Sequence, residues 1–259
     1  MALIGDNIFV TGAAQGVGRA VALALAARGA RKVTLVDRNQ RSLESTAEEL
    51  WRAGCAVHGV CADLTNVAEC KRAVSEAQNT FGTIDVICNC AGSTERGTIL
   101  DTSPEVFDSI FATNVRSTFF ILQSALPAMI AQKSGVVINM SSMLAYGGVP
   151  YLTAYSASKA ALNTLTRNVA NAVKNDHIRV HAINLGWTVT PSEDFVQRTF
   201  HRLPENWAET EGAKQPFGRL LTPEDPALLC AFLASEDAAM MTGTVIDLEQ
   251  YINGTTDVR

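Results

Sequence analysis

Along most of the chain, short apolar runs alternate with longer stretches of helical period. The apolar runs "NIFVTG" (7–12), "KVTLVD" (32–37), "AVHGVCADL" (56–64), "IDVICNCAG" (84–92), "GVVINMSS" (135–142) and "IRVHAINLG" (178–186) predict strands. Between them, 16–29, 42–54, 66–82, 103–132 and 154–174 carry the 3.6-residue period and predict helices, with 103–132 either one long helix or two abutting ones. Gly29 and Gly54 close the first two, as glycine commonly does at a helix end. After Gly186 the pattern breaks. Residues 187–222 mix Trp, Pro and charge with only patchy periodicity, before a last helix at 223–235 and a short strand at 244–248.

Strands and helices alternating at this spacing imply parallel strands joined by crossover helices. The nearly continuous apolar character of the strands fits a sheet covered on both faces. The expected fold is α/β: a doubly wound parallel sheet flanked by helices on both faces, in a single domain spanning 1–259. Such a sheet binds ligands at the carboxyl ends of its strands. No linker, repeat or low-complexity segment interrupts it.

Composition narrows the function. The chain has 259 residues, 47% apolar and 18% charged, which suits a soluble domain with a sizeable core. A net charge of −5 and the lack of any Lys/Arg run argue against nucleic acid as a partner. No apolar run reaches the length of a membrane span. The opening "MALIGDNIFVTG" runs straight into a strand pattern without the marks of a signal peptide, so the cytoplasm is the expected location. Six cysteines are scattered through mostly apolar segments; Cys88 and Cys90 form C-x-C with no second ligand pair after them. Reduced, buried thiols are expected, and no metal site.

The first strand ends in "TGAAQGVG", Thr11–Gly18. Gly12, Gly16 and Gly18 fall where the chain must turn sharply into a helix, and glycines there let a pyrophosphate approach the backbone. The helix N-terminus adds free N–H donors and partial positive charge. The second strand ends at Asp37, 19 residues after Gly18, the place for a carboxylate that accepts hydrogen bonds from an adenosine ribose. That carboxylate would repel a 2′-phosphate, and Gln15 adds no cation, so NAD is favoured over NADP. Arg38 is the one neighbour that could soften the preference. Asp63 and Asn89 also stand at strand ends, where a cofactor contact and a simple turn former are both open readings. Tyr155 and Lys159, in "TAYSASKAAL", lie four apart on one helix face. A phenol titrates near 10, too high for a general base at neutral pH. A neighbouring ammonium and a positive nicotinamide both favour the phenolate.

Together these residues resemble the short-chain dehydrogenase/reductase superfamily, in its single-domain subgroup, over roughly residues 5–248. The glycine turn is Thr11–Gly18; the family's adenine-contacting Asp is Asp63; its N-N-A-G reads "NCAG" (89–92), with Cys90 in the second place; its helix Asn is Asn114; its Ser is Ser142, thirteen residues before Tyr155; its Y-x3-K is Tyr155 and Lys159. Two departures are Leu185 in the usual Pro-Gly motif, with Gly186 and Thr190 kept, and "DLEQY" (247–251) where many relatives carry D-G-G.

The resemblance implies a Rossmann-type fold and hydride transfer between a nicotinamide cofactor and a secondary alcohol or carbonyl. In that scheme Tyr155 is the base, Ser142 bonds the substrate oxygen, and Lys159 lowers the phenol's pKa and holds the nicotinamide ribose. Asn114 positions a water linking Lys159 to solvent. Cofactor contacts extend to Val17, Leu64, Ala91 and Thr188, with Thr190 on the carboxamide. The substrate wall is expected from 93–97, 143–151 and a lid at about 187–222. Trp187, Glu193, Asp194, Gln197, Arg198, His201, Arg202, Trp207 and Glu209 there suit a sugar or polyol, and "GWTVTPSED" and "QPFGRLLTPED" are similar to sugar-oxidising members. The alternatives are an NADPH-dependent carbonyl or 3-oxoacyl-type reductase and a dinucleotide-sensing scaffold. The helices at 103–132 and 154–174 are expected to pair between subunits of a homo-oligomer, dimer or tetramer.

Overall fold

The computed structural model describes residues 2–255. Seven parallel strands form one sheet: β1 (Asn7–Thr11), β2 (Lys32–Asp37), β3 (Ala56–Cys61), β4 (Val86–Asn89), β5 (Gly135–Ser142), β6 (Ile178–Leu185) and β7 (Val245–Leu248). Their order across the sheet is β3-β2-β1-β4-β5-β6-β7. The chain winds outward from β1 to one edge, returns, and winds from β4 to the other. The reversal lies between β1 and β4, and a crevice opens there at the carboxyl ends.

Strand alternation sorts the core into two layers. Ile8, Val10, Val33, Leu35, Val86 and Ile138 pack with Leu25 of α1 (Gly16–Ala27), Leu43 and Leu50 of α2 (Gln40–Arg52), and Ala231 of α9 (Glu224–Leu233). Phe9, Val36, Ile87 and Val137 point the other way. They pack with Val74 of α3 (Val67–Phe81), Ile121 and Met129 of α5 (Ser117–Gln132), and Val173 of α6 (Thr153–Val173). Every residue of β1, β4 and β5 is buried. That is why these strands read as unbroken apolar runs rather than as an alternation. The single-domain, Rossmann-type sheet is the expected one.

Three expectations change in detail. The strands at 56–64 and 84–92 are shorter. β3 stops at Cys61 because Asp63 accepts from the Thr65 N–H at 3.0 Å and Asn66 caps α3 by accepting from Ala68. β4 stops at Asn89 because the Cys90 and Ala91 N–H groups leave the ladder and both donate to the Thr11 hydroxyl at 3.1 Å. The 103–132 stretch is α4 (Pro104–Phe111) and α5, joined by a π-helical turn, Ala112–Arg116. The irregular 187–222 stretch contains α7 (Pro191–Thr199) and α8 (Trp207–Gly212). The start of α7 has a local cause: Thr190 accepts from the Glu193 N–H at 3.1 Å and Pro191 occupies the first turn. No helix among the described residues is long and apolar enough to cross a membrane.

Candidate active site

The glycine turn fits a diphosphate. Gly12 has φ +64°, and a Cβ there would lie 2.9 Å from the Ala91 backbone. At Gly18 a Cβ would strike the Gly12 carbonyl. Gln15, the residue before α1, makes no side-chain cap, and no acidic group sits in the first turn. The helix therefore offers its first N–H donors, with Val17 and Gly18 among them, and its dipole to an anion. Gln15 instead reaches the other way and donates to the Ser192 hydroxyl at 2.8 Å. Gly16, at φ +54°, faces Thr190 with Cβ-to-methyl room of 3.4 Å. The glycine turn and the start of α7 thus face one another.

Asp37 closes one end of this cradle. One carboxylate oxygen accepts from the Ala14 N–H at 3.1 Å and the other from the Asn39 N–H at 3.0 Å. Each oxygen keeps a lone pair for a ribose hydroxyl. Arg38 is exposed beside it. Asp63 is exposed and Leu64 buried. Asn89 is buried, donates to Asn139 at 2.9 Å, and leaves its own side-chain oxygen without a partner. Thr188 spends its hydroxyl proton on the Gly186 carbonyl, whereas the Thr190 hydroxyl accepts in the α7 cap and keeps its proton to give.

At the carboxyl end of β5, Ser142 begins a short 3-10 turn and its hydroxyl accepts from the Leu144 N–H at 3.1 Å. Tyr155 and Lys159 come to the same corner from α6. Lys159 is 4% exposed; its ammonium donates to the Met140 carbonyl at 2.7 Å and stands 5.7 Å from the centre of the Tyr155 ring. Burial draws this ammonium down to about 8.

The phenol departs from expectation. Burial pushes the Tyr155 hydroxyl above its usual value, the Ser142 hydroxyl beside it draws it back, and the Glu193 carboxylate raises it again. Lys159 sits against the ring and is turned to the Met140 carbonyl, so in the chain's own field it does not offset the cost of burying a phenolate. Asn114 also differs. In the π-helical turn its side chain accepts from the Ser93 N–H at 2.8 Å and donates to the Ser93 carbonyl at 3.0 Å and to Ser158 at 2.9 Å. Both amide protons are spent, which ties the 93–97 loop to α6.

The segment after β6 is more ordered than its pattern suggests. Trp187 and Trp207 stack with centroids 5.6 Å apart, and Trp207 is 1% exposed. Trp207 donates to Asp194, while Trp187 and Gln197 both donate to one Glu193 oxygen. Trp207, expected as a sugar platform, is therefore a core residue of this segment. Arg198, Arg202 and Glu209 are exposed, and Arg198 pairs with Asp194 at 3.7 Å. His201 instead meets Arg96 and Tyr151, two residues that sequence reasoning placed only within stretches of wall. The "DLEQY" tail, a departure from the family pattern, is anchored: Asp247 accepts from Tyr146 and Asn184, and Gln250 bonds the backbone of Phe217 and Arg219. All six cysteines are free; Cys61 is exposed and Cys90 half-buried. Among the described residues, no group of three or more His, Cys, Asp or Glu could hold a metal.

A doubly wound sheet, a glycine cradle at its reversal and a Ser–Tyr–Lys corner at its carboxyl edge define a nicotinamide-dependent oxidoreductase. The family described as Enoyl-(Acyl carrier protein) reductase matches residues 12–250. The chain is 32% identical over 249 residues to 3-oxoacyl-[acyl-carrier-protein] reductase of Thermotoga maritima, covering 96% of this chain and 98% of that one. It is 35% identical over 243 residues to sorbitol dehydrogenase of Cereibacter sphaeroides, covering 92% and 93%. Its structure is similar to that of L-sorbose reductase from Gluconobacter frateurii, solved with NADPH and L-sorbose: TM-score 0.92, 26% identity, 98% and 99% coverage. The chain belongs to the short-chain dehydrogenase/reductase superfamily and is an oxidoreductase acting on alcohol or carbonyl groups.

Proposed function

We propose that the protein oxidises a secondary alcohol of a sugar or polyol with NAD, and reduces the matching carbonyl in reverse. The observation that carries this reading is the convergence of Ser142, Tyr155 and Lys159 in one corner beside the glycine cradle. Bound there, NAD+ supplies the hydride acceptor. Tyr155 takes the proton of the substrate hydroxyl, and Ser142 donates to the substrate oxygen as charge develops. Lys159 holds the nicotinamide ribose with its remaining protons. Asn114 acts by fixing Ser93 and α6, and its side chain has no proton left to give a relay water to Lys159.

Gly12, Gly16, Val17 and Gly18 hold the diphosphate, with Gln15 bracing the turn. Asp37 takes the adenosine ribose; Asp63, Leu64, Asn89 and Ala91 form the wall around the adenine side. Thr190 donates to the carboxamide, with Thr188 shaping its backbone. The 187–222 segment serves as the lid. Its Glu193, held beside Tyr155 with one oxygen unspent, offers an acceptor for neighbouring substrate hydroxyls. The names of the sorbitol dehydrogenase and L-sorbose reductase relatives support the same substrate class. Exposed Phe107 and Phe119, on α4 and α5, support pairing with a second copy.

NADPH-dependent carbonyl reduction is the second reading. Arg38, exposed beside Asp37, favours it, as does NADPH in the L-sorbose reductase and actinorhodin ketoreductase structures. An assay of polyols, aldoses and simple secondary alcohols with NAD+ and NADP+ separates the two. Oxidation of polyols with NAD+ preferred is the expected result; turnover confined to NADP(H) and ketones rejects it.

A further inference from the structure

Arg96 lies in the loop after β4, five residues beyond Ala91 and three beyond Ser93, whose backbone Asn114 clasps. The Gly97 N–H donates to the Tyr151 carbonyl at 3.0 Å, which pins this loop to the turn leading into α6 and Tyr155. The Arg96 guanidinium rests 5.5 Å from the centre of the Tyr151 ring. One of its terminal nitrogens donates to the His201 Nε2 at 3.1 Å. His201 also lies against Tyr151, with ring centroids 5.5 Å apart. Three walls of the cleft therefore meet at this side chain: the loop after β4, the entry to α6 and the segment after α7.

The charge at this meeting point has no answer. Arginine donates only, so the His201 nitrogen that receives it is the acceptor and brings no negative charge. The Arg96 Nε is buried without a hydrogen-bond partner. No carboxylate among the described residues pairs with Arg96. Glu95 bonds Ser93 and Ser109, Glu193 takes Trp187 and Gln197, and Asp194 takes Trp207 and Arg198. A half-buried guanidinium with an unsatisfied donor is costly unless an acceptor arrives. Its planar fork matches an oxyanion.

We propose that Arg96, flanked by His201 and Tyr151, receives an anionic group of the substrate: a carboxylate, phosphate or sulfonate borne on a hydroxylated carbon chain. This rests on the reading of the Ser142–Tyr155–Lys159 corner as the place where the alcohol reacts, and it narrows the substrate from neutral polyols to hydroxylated acids. The reacting hydroxyl faces Tyr155 and Ser142; the charged end reaches across to the loop after β4. Glu193 stays on the phenol side, where it accepts from hydroxyls and keeps the anionic end away.

The test uses matched neutral and charged substrates with NAD+: sorbitol against gluconate, glycerol against glycerol 3-phosphate, and 2-butanol against 3-hydroxybutyrate and 2-hydroxypropanesulfonate. These pairs distinguish carboxylate, phosphate and sulfonate. Wild-type enzyme is expected to show the higher kcat/KM on the charged member of at least one pair. Arg96→Gln is expected to lower the charged-to-neutral ratio roughly ten- to hundredfold, mainly through KM, as loss of a charged hydrogen bond does. Arg96→Lys, which keeps the charge but not the fork, should fall between them and stands in if the Gln variant misfolds. Equal wild-type use of both members, or an equal loss on both in Arg96→Gln, overturns the proposal. Turnover of none of these compounds rejects the proposed reaction instead. Calorimetric binding of gluconate, glycerol 3-phosphate and 2-hydroxypropanesulfonate to the NAD+-loaded protein then decides the anion site: binding that Arg96→Gln abolishes supports it, and no binding to wild type overturns it.

Discussion

The Lys159 ammonium stands 5.7 Å from the centre of the Tyr155 ring and gives a proton to the Met140 carbonyl rather than to the phenol. Burial thus acts on the two groups in opposite directions: it lowers the ammonium to about 8 and raises the phenol above its ordinary value near 10. In this field the phenol alone would be a poor base at neutral pH. In the proposed reaction the positive charge of the oxidised nicotinamide brings it down. Tyrosinate absorbance should place Tyr155 above its ordinary value in the protein alone, and lower in the NAD+ complex. The alkaline-rising limb of kcat/KM for alcohol oxidation should track the lower value. A limb that matches the NAD+-free titration would contradict this.

Replacing Tyr155 with Phe removes the proposed proton acceptor while keeping the ring against Lys159. Turnover should fall by roughly 10²–10⁴-fold, the usual worth of a general base. The Kd for NAD+, measured by calorimetry, should be unchanged. Near-wild-type turnover would reject Tyr155 as the base.

Asp37 bonds the glycine turn through the Ala14 N–H and, in the proposed complex, faces the ribose. Asp37→Ala should therefore weaken NAD+ binding and raise the NADP+ to NAD+ ratio of kcat/KM by about tenfold or more, as removal of a charged acceptor does. An unchanged ratio in steady-state assays would remove the ribose role.

Acid stability should report on His181. This side chain is fully buried, its Nδ1 meets the Thr244 hydroxyl at 2.7 Å and its Nε2 has no partner. Burial, helped by Arg179, lowers it from 6.5 to about 4. The unfolded chain then takes the proton first as pH falls. Stability should decline between about pH 6.5 and 4, by at most roughly 3 kcal/mol from this group. In urea unfolding, His181→Asn should flatten that decline; an acid limb of the same slope in the variant would clear His181 of the effect.

Much of this molecule is legible from residues alone, and the reasons are physical. The inner strands β1, β4 and β5 are readable because both of their faces are buried, which leaves unbroken apolar runs such as "VVIN". The cradle is readable because Gly12 and Gly18 sit where no Cβ fits. The ends of β3 and β4 are not, since they depend on where Asp63 and the Thr11 hydroxyl send their bonds. α7 and α8 escape a reading by period because Trp187, Glu193, Asp194 and Trp207 bond among themselves, and such pairs leave no period in the sequence. The meeting of Arg96 with His201, 105 residues on, has no local signature at all. The phenol's upward shift is equally hidden, because spacing reveals neighbours but not desolvation.

The widened turn at Ala112–Arg116 makes Asn114 vulnerable in an unusual way. A π-bulge amounts to one residue more than a regular helix needs. Deleting a single residue from this turn would leave a continuous helix with every hydrogen bond closed. It would also turn Asn114, inside the bulge, by up to about 100° while α4 and α5 keep their phase. Asn114 would swing off Ser93 and Ser158, and the loop bearing Arg96 would lose one of its ties to the helix of Tyr155. A shorter chain with a more regular helix would be the less competent enzyme.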